Sequence, residues 1–396
     1  MTPQAVVLPP PTERYTLLGW LRRNLFSTWY NALLTFAAAG LIVAAARPLL
    51  AWAFTQAEWA VVAANLQLFM VGQYPRDELW RVWLCLGLAA ALVGLTWGVW
   101  VRGRRGLGVL LAVLPFALAL LPIGGQSRLA LGGAGLAGLL SYALGRWGPP
   151  GLRRIAVVAW IAYFPLILVI IRGLGGTFLT VVPSNLWGGL LLTALLTVVG
   201  IVFSFPLGVL LALGRQSGLP IIRAACVTFI ELVRGVPFIS VLFMSQLMLP
   251  LFLPPNVTVD RVVRAMVGVV LFSAAYMAEN VRGGLQAIPR GQTEAARALG
   301  LNGAQTMGLI ILPQALRAVI PILVGQFIAL FKDTSLVVIV GLLDLMGIAK
   351  TVLAQPQFLG RQIEVYLFLA LIYGLFCYVM SAISQRLEAA LGVGAR

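Results

Sequence analysis

The sequence predicts an all-α polytopic membrane protein, and three observations carry that prediction. Of the 396 residues, 61% are hydrophobic and 10% are charged. The mean hydropathy is +0.98. The apolar residues fall in long runs, each near the roughly 20 residues that a helix needs to cross a bilayer. A soluble domain carries about a quarter charged residues, and a disordered chain lacks hydrophobic runs, so both classes are excluded.

Ten apolar stretches are candidate spans: about 32–54, 82–101, 107–123, 129–145, 155–171, 188–213, 224–253, 262–281, 318–343 and 363–385. Pro115 interrupts the third, so 107–145 could instead be a re-entrant pair without changing the topology. With both termini in the cytoplasm, seventeen of the 28 basic residues fall in inner segments and nine in outer ones. That bias favours an N-in, C-in arrangement. The outer basic residues include Arg81, Arg261 and Arg264, and several of the outer arginines lie at span ends, where they can reach for headgroups. Residues 1–30, with Pro9, Pro10 and Pro11 and then Arg22 and Arg23, read as a cytoplasmic leader and not as a cleaved signal.

Composition also bounds the chemistry. The chain has no histidine, so mechanisms that need His as base or ligand are excluded. Cys85, Cys226 and Cys377 lie far apart in apolar runs and form neither a disulfide framework nor a zinc motif. The formal charge of +16 reads as topology and not as nucleic-acid binding. Gly132-Gly133-Ala134-Gly135 reads as helix packing. Trp80, Trp97, Trp100, Trp147, Trp160 and Trp187 read as interface anchors.

The chain divides at the stretch from Gly173 to Asn185. Residues 31–175 form an N-terminal membrane extension of about five spans. Residues 176–396 hold about five more and most of the polar chemistry. The longest outward segment, Thr55 to Arg81, is too short for a solute-capturing domain. The longest inward loop is 282–317. Thr293 to Leu299 favours a helix. Gly300 supplies the left-handed residue that ends it, and Leu301 follows as the apolar contact. Asn302 caps a second helix, with Gln305 as its capping-box partner. Pro313 and Pro321 interrupt the return to the membrane.

This loop resembles the EAA loop of ABC importer permeases. Glu294-Ala295-Ala296, then Gly300, then Ile310 and Leu312-Pro313, match that motif with its gaps. Ile230-Glu231-Leu232-Val233-Arg234-Gly235-Val236-Pro237, Ala275 to Gly284, and Phe331-Lys332-Asp333-Thr334-Ser335-Leu336 resemble segments of the polar and general L-amino-acid uptake permeases. Asn280 departs from that pattern. The resemblance covers about 188–390 and implies a type I importer permease core there. It implies that the loop is a coupling helix, with Glu294, Ala295, Ala296, Gly300 and Pro313 serving an ATPase subunit. It further implies an ABC ATPase dimer, a second permease (identical or a paralogue), an extracytoplasmic solute-binding protein and a bacterial inner membrane. There is no P-loop in the chain, so ATP and Mg would belong to the partner ATPase, and no cofactor or metal is expected here.

Five ionisable residues fall within apolar stretches: Glu231, Arg234, Glu279, Lys332 and Asp333. Such residues pair or line a wet cavity. Glu231 and Arg234 can pair at i, i+3, and Glu279 can pair with Arg282. Gly235 and Pro237 break the helix and expose backbone groups, as at transporter sites. Alternatively, Asp333 or Glu279 meets a substrate ammonium, Arg234 or Lys332 meets its carboxylate, and Thr334 and Ser335 add hydrogen bonds. Two other classes stay open at this point: a lipid-modifying membrane enzyme using Glu279, Lys332 and Asp333, and a secondary transporter.

Overall fold

The computed structural model describes residues 17–100, 115–116, 125–149, 151–176, 179–254 and 256–391. The described residues are overwhelmingly helical, and they form two compact units, Met1–Ala60 and Val61–Arg396. The first holds α1 (Leu17–Asn24) and α2 (Trp29–Thr55). Thr28 caps α2 by accepting from the Asn31 N–H, and Trp59 Nε1 donates to Ala53 O at 2.8 Å. None of the residues of α2 is buried. It is apolar all round, as suits a helix solvated by lipid.

The segment between Thr55 and Arg81, expected as an outward loop, folds into α3 (Ala60–Ala64), α4 (Leu66–Val71) and a short turn, Arg76–Glu78. Val61 and Phe69 are buried with residues of α15 (Leu345–Leu353) and α16 (Gln362–Leu391). Phe69 meets Phe368 edge-on at 5.2 Å. Tyr74 Oη donates to Ile171 O at 2.8 Å. Arg81 does not reach for headgroups either. It is fully buried, donates to Thr180 O at 2.8 Å, and pairs with Glu78 at 2.9 Å.

Helix α5 (Leu79–Trp100) then packs on α6 (Gly125–Trp147). A Cβ on Gly94 would lie 2.1 Å from Gly138 O, and one on Gly145 would lie 2.6 Å from Leu95 O. Small residues let the two backbones approach. Within the expected packing run, Gly135 abuts Phe116, whereas a Cβ on Gly132 or Gly133 would meet none of the described residues within 4 Å. Helix α7 is Leu152–Arg172.

Helix α8 (Gly189–Arg215) is the axis of the remaining core and packs on α11 (Arg261–Gln286). Gly208 of α8 seats against Met277, and Gly200 against Val269 and Leu330. Between them, α9 (Pro220–Gly235) and α10 (Phe238–Phe243) meet at a 111° bend; a π turn and a 3-10 turn extend α10 to Phe252. The expected span 224–253 is therefore broken, at the predicted place. Pro237 has no N–H to continue the helix, and the residue before it is driven to extended backbone; Val236 has φ −114° and ψ 149°.

After α11 come α12 (Arg290–Ala298), α13 (Gly303–Gln305) with a π turn to Ile311, and α14 (Leu312–Asp333) with a 3-10 continuation to Val340. The expected interruption at Pro313 and Pro321 does not occur. Residues Gly303–Val340 form one helical stretch of 38 residues, in which Pro313 follows the π turn Thr306–Ile311 directly and Pro321 lies inside α14.

Seven described helical stretches are long and apolar enough to cross a membrane, eight with the bent pair counted as one. Eight of the ten expected spans coincide with these stretches. Residues 107–123, Pro115 and Phe116 apart, lie outside the described residues. The stretch 129–145 lies on α6, whose glycines and Arg128 leave it less apolar than the seven.

Candidate functional site

Three groups of polar residues concentrate the chemistry. The first joins the ends of α8, α9 and α11. Glu279 on α11 accepts from Arg215 of α8 at 3.1 Å and pairs with Arg234 of α9 at 3.3 Å and with Arg282. Arg215 also reaches Glu231 at 3.0 Å. The Arg234 guanidinium lies 5.5 Å from the centre of the Tyr276 ring. Glu231 and Arg234 therefore do not pair with each other; both are drawn to partners on neighbouring helices. Sequence reasoning found Glu279 and Arg282 but not Arg215, which ends an apolar run and was counted only among the inner basic residues. Two of the arginines counted on the outer side are likewise structural: Arg264 donates to Gln246 O at 2.6 Å and Arg261 to Val340 O at 3.2 Å.

The second group is the block Lys332 to Ser335, where α14 passes into its 3-10 continuation. Asp333 is half-buried and Lys332 exposed. No ion pair within 4 Å engages either among the described residues. Thr334 is buried and donates to Phe331 O at 2.8 Å. Among the described residues, no hydrogen bond or ion pair joins this block to Glu279. Nearby lies a residue that sequence reasoning missed. Asp344 is fully buried and caps α15, its carboxylate accepting from the N–H groups of Gly347 at 2.9 Å and Met346 at 3.2 Å. Burial pushes its carboxyl up to about 7, against the opposing pull of those N–H groups. An Asp just before the apolar run Leu345–Leu353 is an N-cap signature that could have found it. Gly189 N donates to Leu343 O at 2.9 Å, and Leu345 N to Thr193 Oγ1 at 3.1 Å, tying this cap to α8.

The third group is the loop. Leu301 N donates to Ala296 O at 3.1 Å and Gly300 N to Arg297 O at 2.9 Å, the paired bonds of a Schellman motif. Gly300 has φ +80°. Asn302 and Gln305 form the expected capping box in both directions. Glu294, Ala295, Gly300 and Pro313 are exposed. Ala296 is instead 3% exposed, turned into the chain's own packing. It seats α12, while the exposed residues beside it present a surface. A Cβ on Gly300 would meet nothing, so Gly300→Ala costs only backbone strain. That cost is about 1 kcal/mol. The expected result is faster protease cleavage between residues 298 and 303 with the global melting temperature nearly unchanged.

Comparison with known proteins bears on this arrangement. A family model described as "Binding-protein-dependent transport system inner membrane component" matches residues 204–393, which include the loop and the Lys332 block. The inner membrane amino-acid ABC transporter permease protein YhdY of Escherichia coli K12 is 41% identical over 390 residues, covering 95% of this chain and 93% of its own. The chain belongs to the binding-protein-dependent ABC permease family. The glutamate/glutamine/aspartate/asparagine transport system permease protein BztC of Rhodobacter capsulatus is 40% identical, covering 96% of the permease and 95% of itself. A shorter relative, the glutamate/aspartate import permease protein GltK of Escherichia coli O6:H1, is 38% identical over 201 residues. It matches 49% of the permease with 88% of its own length. About half of the permease thus has no counterpart in that relative. The permease is a multi-span subunit of an inner-membrane transport family, not itself an enzyme.

Proposed function

We propose that the permease moves L-amino acids, polar or broad in range, from an extracytoplasmic binding protein to the cytoplasm as one half of the membrane domain of an ATP-driven importer. The observation that carries this reading is the preformed loop. A Schellman turn and a capping box hold α12 so that Glu294 and Ala295 stand exposed. A rigid protruding helix is what a partner needs to push against. An ATPase dimer carrying ATP and Mg docks there, and a second permease completes the pore. Both termini lie in the cytoplasm, on the same side as the loop. Full-length relatives named for amino-acid transport support the substrate class.

Within the membrane, Asp333 is assigned to the substrate ammonium, with Thr334 and Ser335 adding hydrogen bonds and Lys332 the carboxylate. Its half-buried carboxylate without an ion-pair partner supports that role, because such a group needs a cation or water. Arg234 and Glu279, already engaged with each other, are assigned to bracing the α9–α10 bend. Substrate moves when closure of the ATPase dimer shifts the population of inward- and outward-open states. Reconstitution with the co-purifying ATPase and labelled amino acids tests the reading. Uptake that depends on ATP and on an added binding protein is expected; uptake driven by an ion gradient without ATP would overturn it.

A further inference from the structure

Beneath α12 lies a cavity of about 440 Å³. Arg290, Thr293 and Arg297 line it from one stripe of α12, at i, i+3 and i+7. Thr306 of the π turn, Gln216 after α8 and Gln286 at the end of α11 complete its polar lining, and the rest of the rim is apolar. Among the described residues, no acidic side chain lines it. Neither arginine has an acidic partner within 4 Å among the described residues. Thr306 is 4% exposed, yet its Oγ1 has no hydrogen-bond partner among the described residues. A buried hydroxyl is seldom left unsatisfied, so such a group at a cavity wall points to something that is bound there.

Two guanidinium groups, two hydroxyls and two amides make a donor set in search of several acceptor oxygens on one anion. Phosphate esters have that chemistry, and Arg forks match it. We propose that this cavity binds the phosphate group of an anionic ligand, bridging α12 to the ends of α8 and α11 and so stiffening the loop. Two sources share the chemistry: the headgroup of an anionic phospholipid, whose glycerol backbone the apolar rim would take, and a soluble phosphate. The inference does not depend on the assignment of an ATPase to the outer face of α12.

The test uses the full chain purified with whatever subunits accompany it. One arm measures retention of phosphatidylglycerol against phosphatidylcholine by native mass spectrometry after passage through mixed vesicles. The other titrates inorganic phosphate and follows thermal unfolding. Wild type is expected to prefer the anionic lipid, or to be stabilised by phosphate, about tenfold more than R290Q/R297Q. Lipid preference without a phosphate shift assigns the headgroup; a phosphate shift without lipid preference assigns the soluble anion. T306V keeps both charges, and it too is expected to bind more weakly, which diffuse electrostatic attraction would not produce. Equal lipid retention in wild type and both variants, with no phosphate shift, overturns the proposal, as does a T306V protein that binds like wild type.

Discussion

Asp333→Asn is expected to lower substrate uptake about thirtyfold while the protein still folds and assembles. The estimate follows from losing one charge-assisted hydrogen bond, about 2 kcal/mol, which corresponds to that factor at equilibrium. Structural damage should be small. The two side chains are nearly isosteric, and no arginine or lysine within 4 Å loses an ion pair among the described residues. Labelled uptake in proteoliposomes, beside size-exclusion chromatography of the same preparation, separates transport from folding. Unchanged uptake would remove Asp333 from the pathway. Thr334→Val would be less informative, because that hydroxyl is buried and bonded to Phe331 O.

Glu279→Ala is expected to act on stability instead. Three arginines converge on this one carboxylate, whose side chain is 17% exposed. Removing it leaves Arg215 with Glu231 but strips Arg234 and Arg282 of their acidic partner. Breaking a fully buried pair costs about 3–5 kcal/mol, and an exposed pair costs at most about 1. Partial exposure places this site between them, at roughly 2–3 kcal/mol. Thermal unfolding in detergent should fall by about 2–4 °C in a chain of this length. Glu279→Gln, which keeps an acceptor, should fall less. A Glu279→Ala protein as stable as wild type would show that the cluster does not brace the bend.

How much of this was legible in the sequence depended on the range of the interactions. The loop was legible in detail because its determinants are local: Gly300 and Leu301 close one helix, and Asn302 and Gln305 open the next, within six residues. The bend at Pro237 was legible for the same reason, since a proline states its own constraint. The segment 55–81 was not. Its helices are too short to show a period, and Phe69 and Val61 find their burial against residues nearly 300 positions away. The partners of Arg81 and Arg215 were not legible either. An arginine at the end of an apolar run has the same sequence signature whether it reaches the headgroups or turns back to a partner. For Arg81 the partner carbonyl lies 99 residues on, and for Arg215 the carboxylate of Glu279 lies 64 on. The ion-pair network could be expected in kind, because intramembrane charges pair, but only the packing of α8 on α11 decides who pairs with whom.

The central claim is that the exposed face of α12 couples the permease to an ATPase. Pull-down of the tagged chain from native membranes, with and without Glu294→Lys, tests it most directly. A charge reversal at a docked face costs on the order of several kcal/mol, so a P-loop subunit should accompany the wild type and be lost from the variant, whose melting temperature is unchanged. Wild-type permease recovered without any P-loop ATPase, or a Glu294→Lys protein that retains it in full, would contradict the claim.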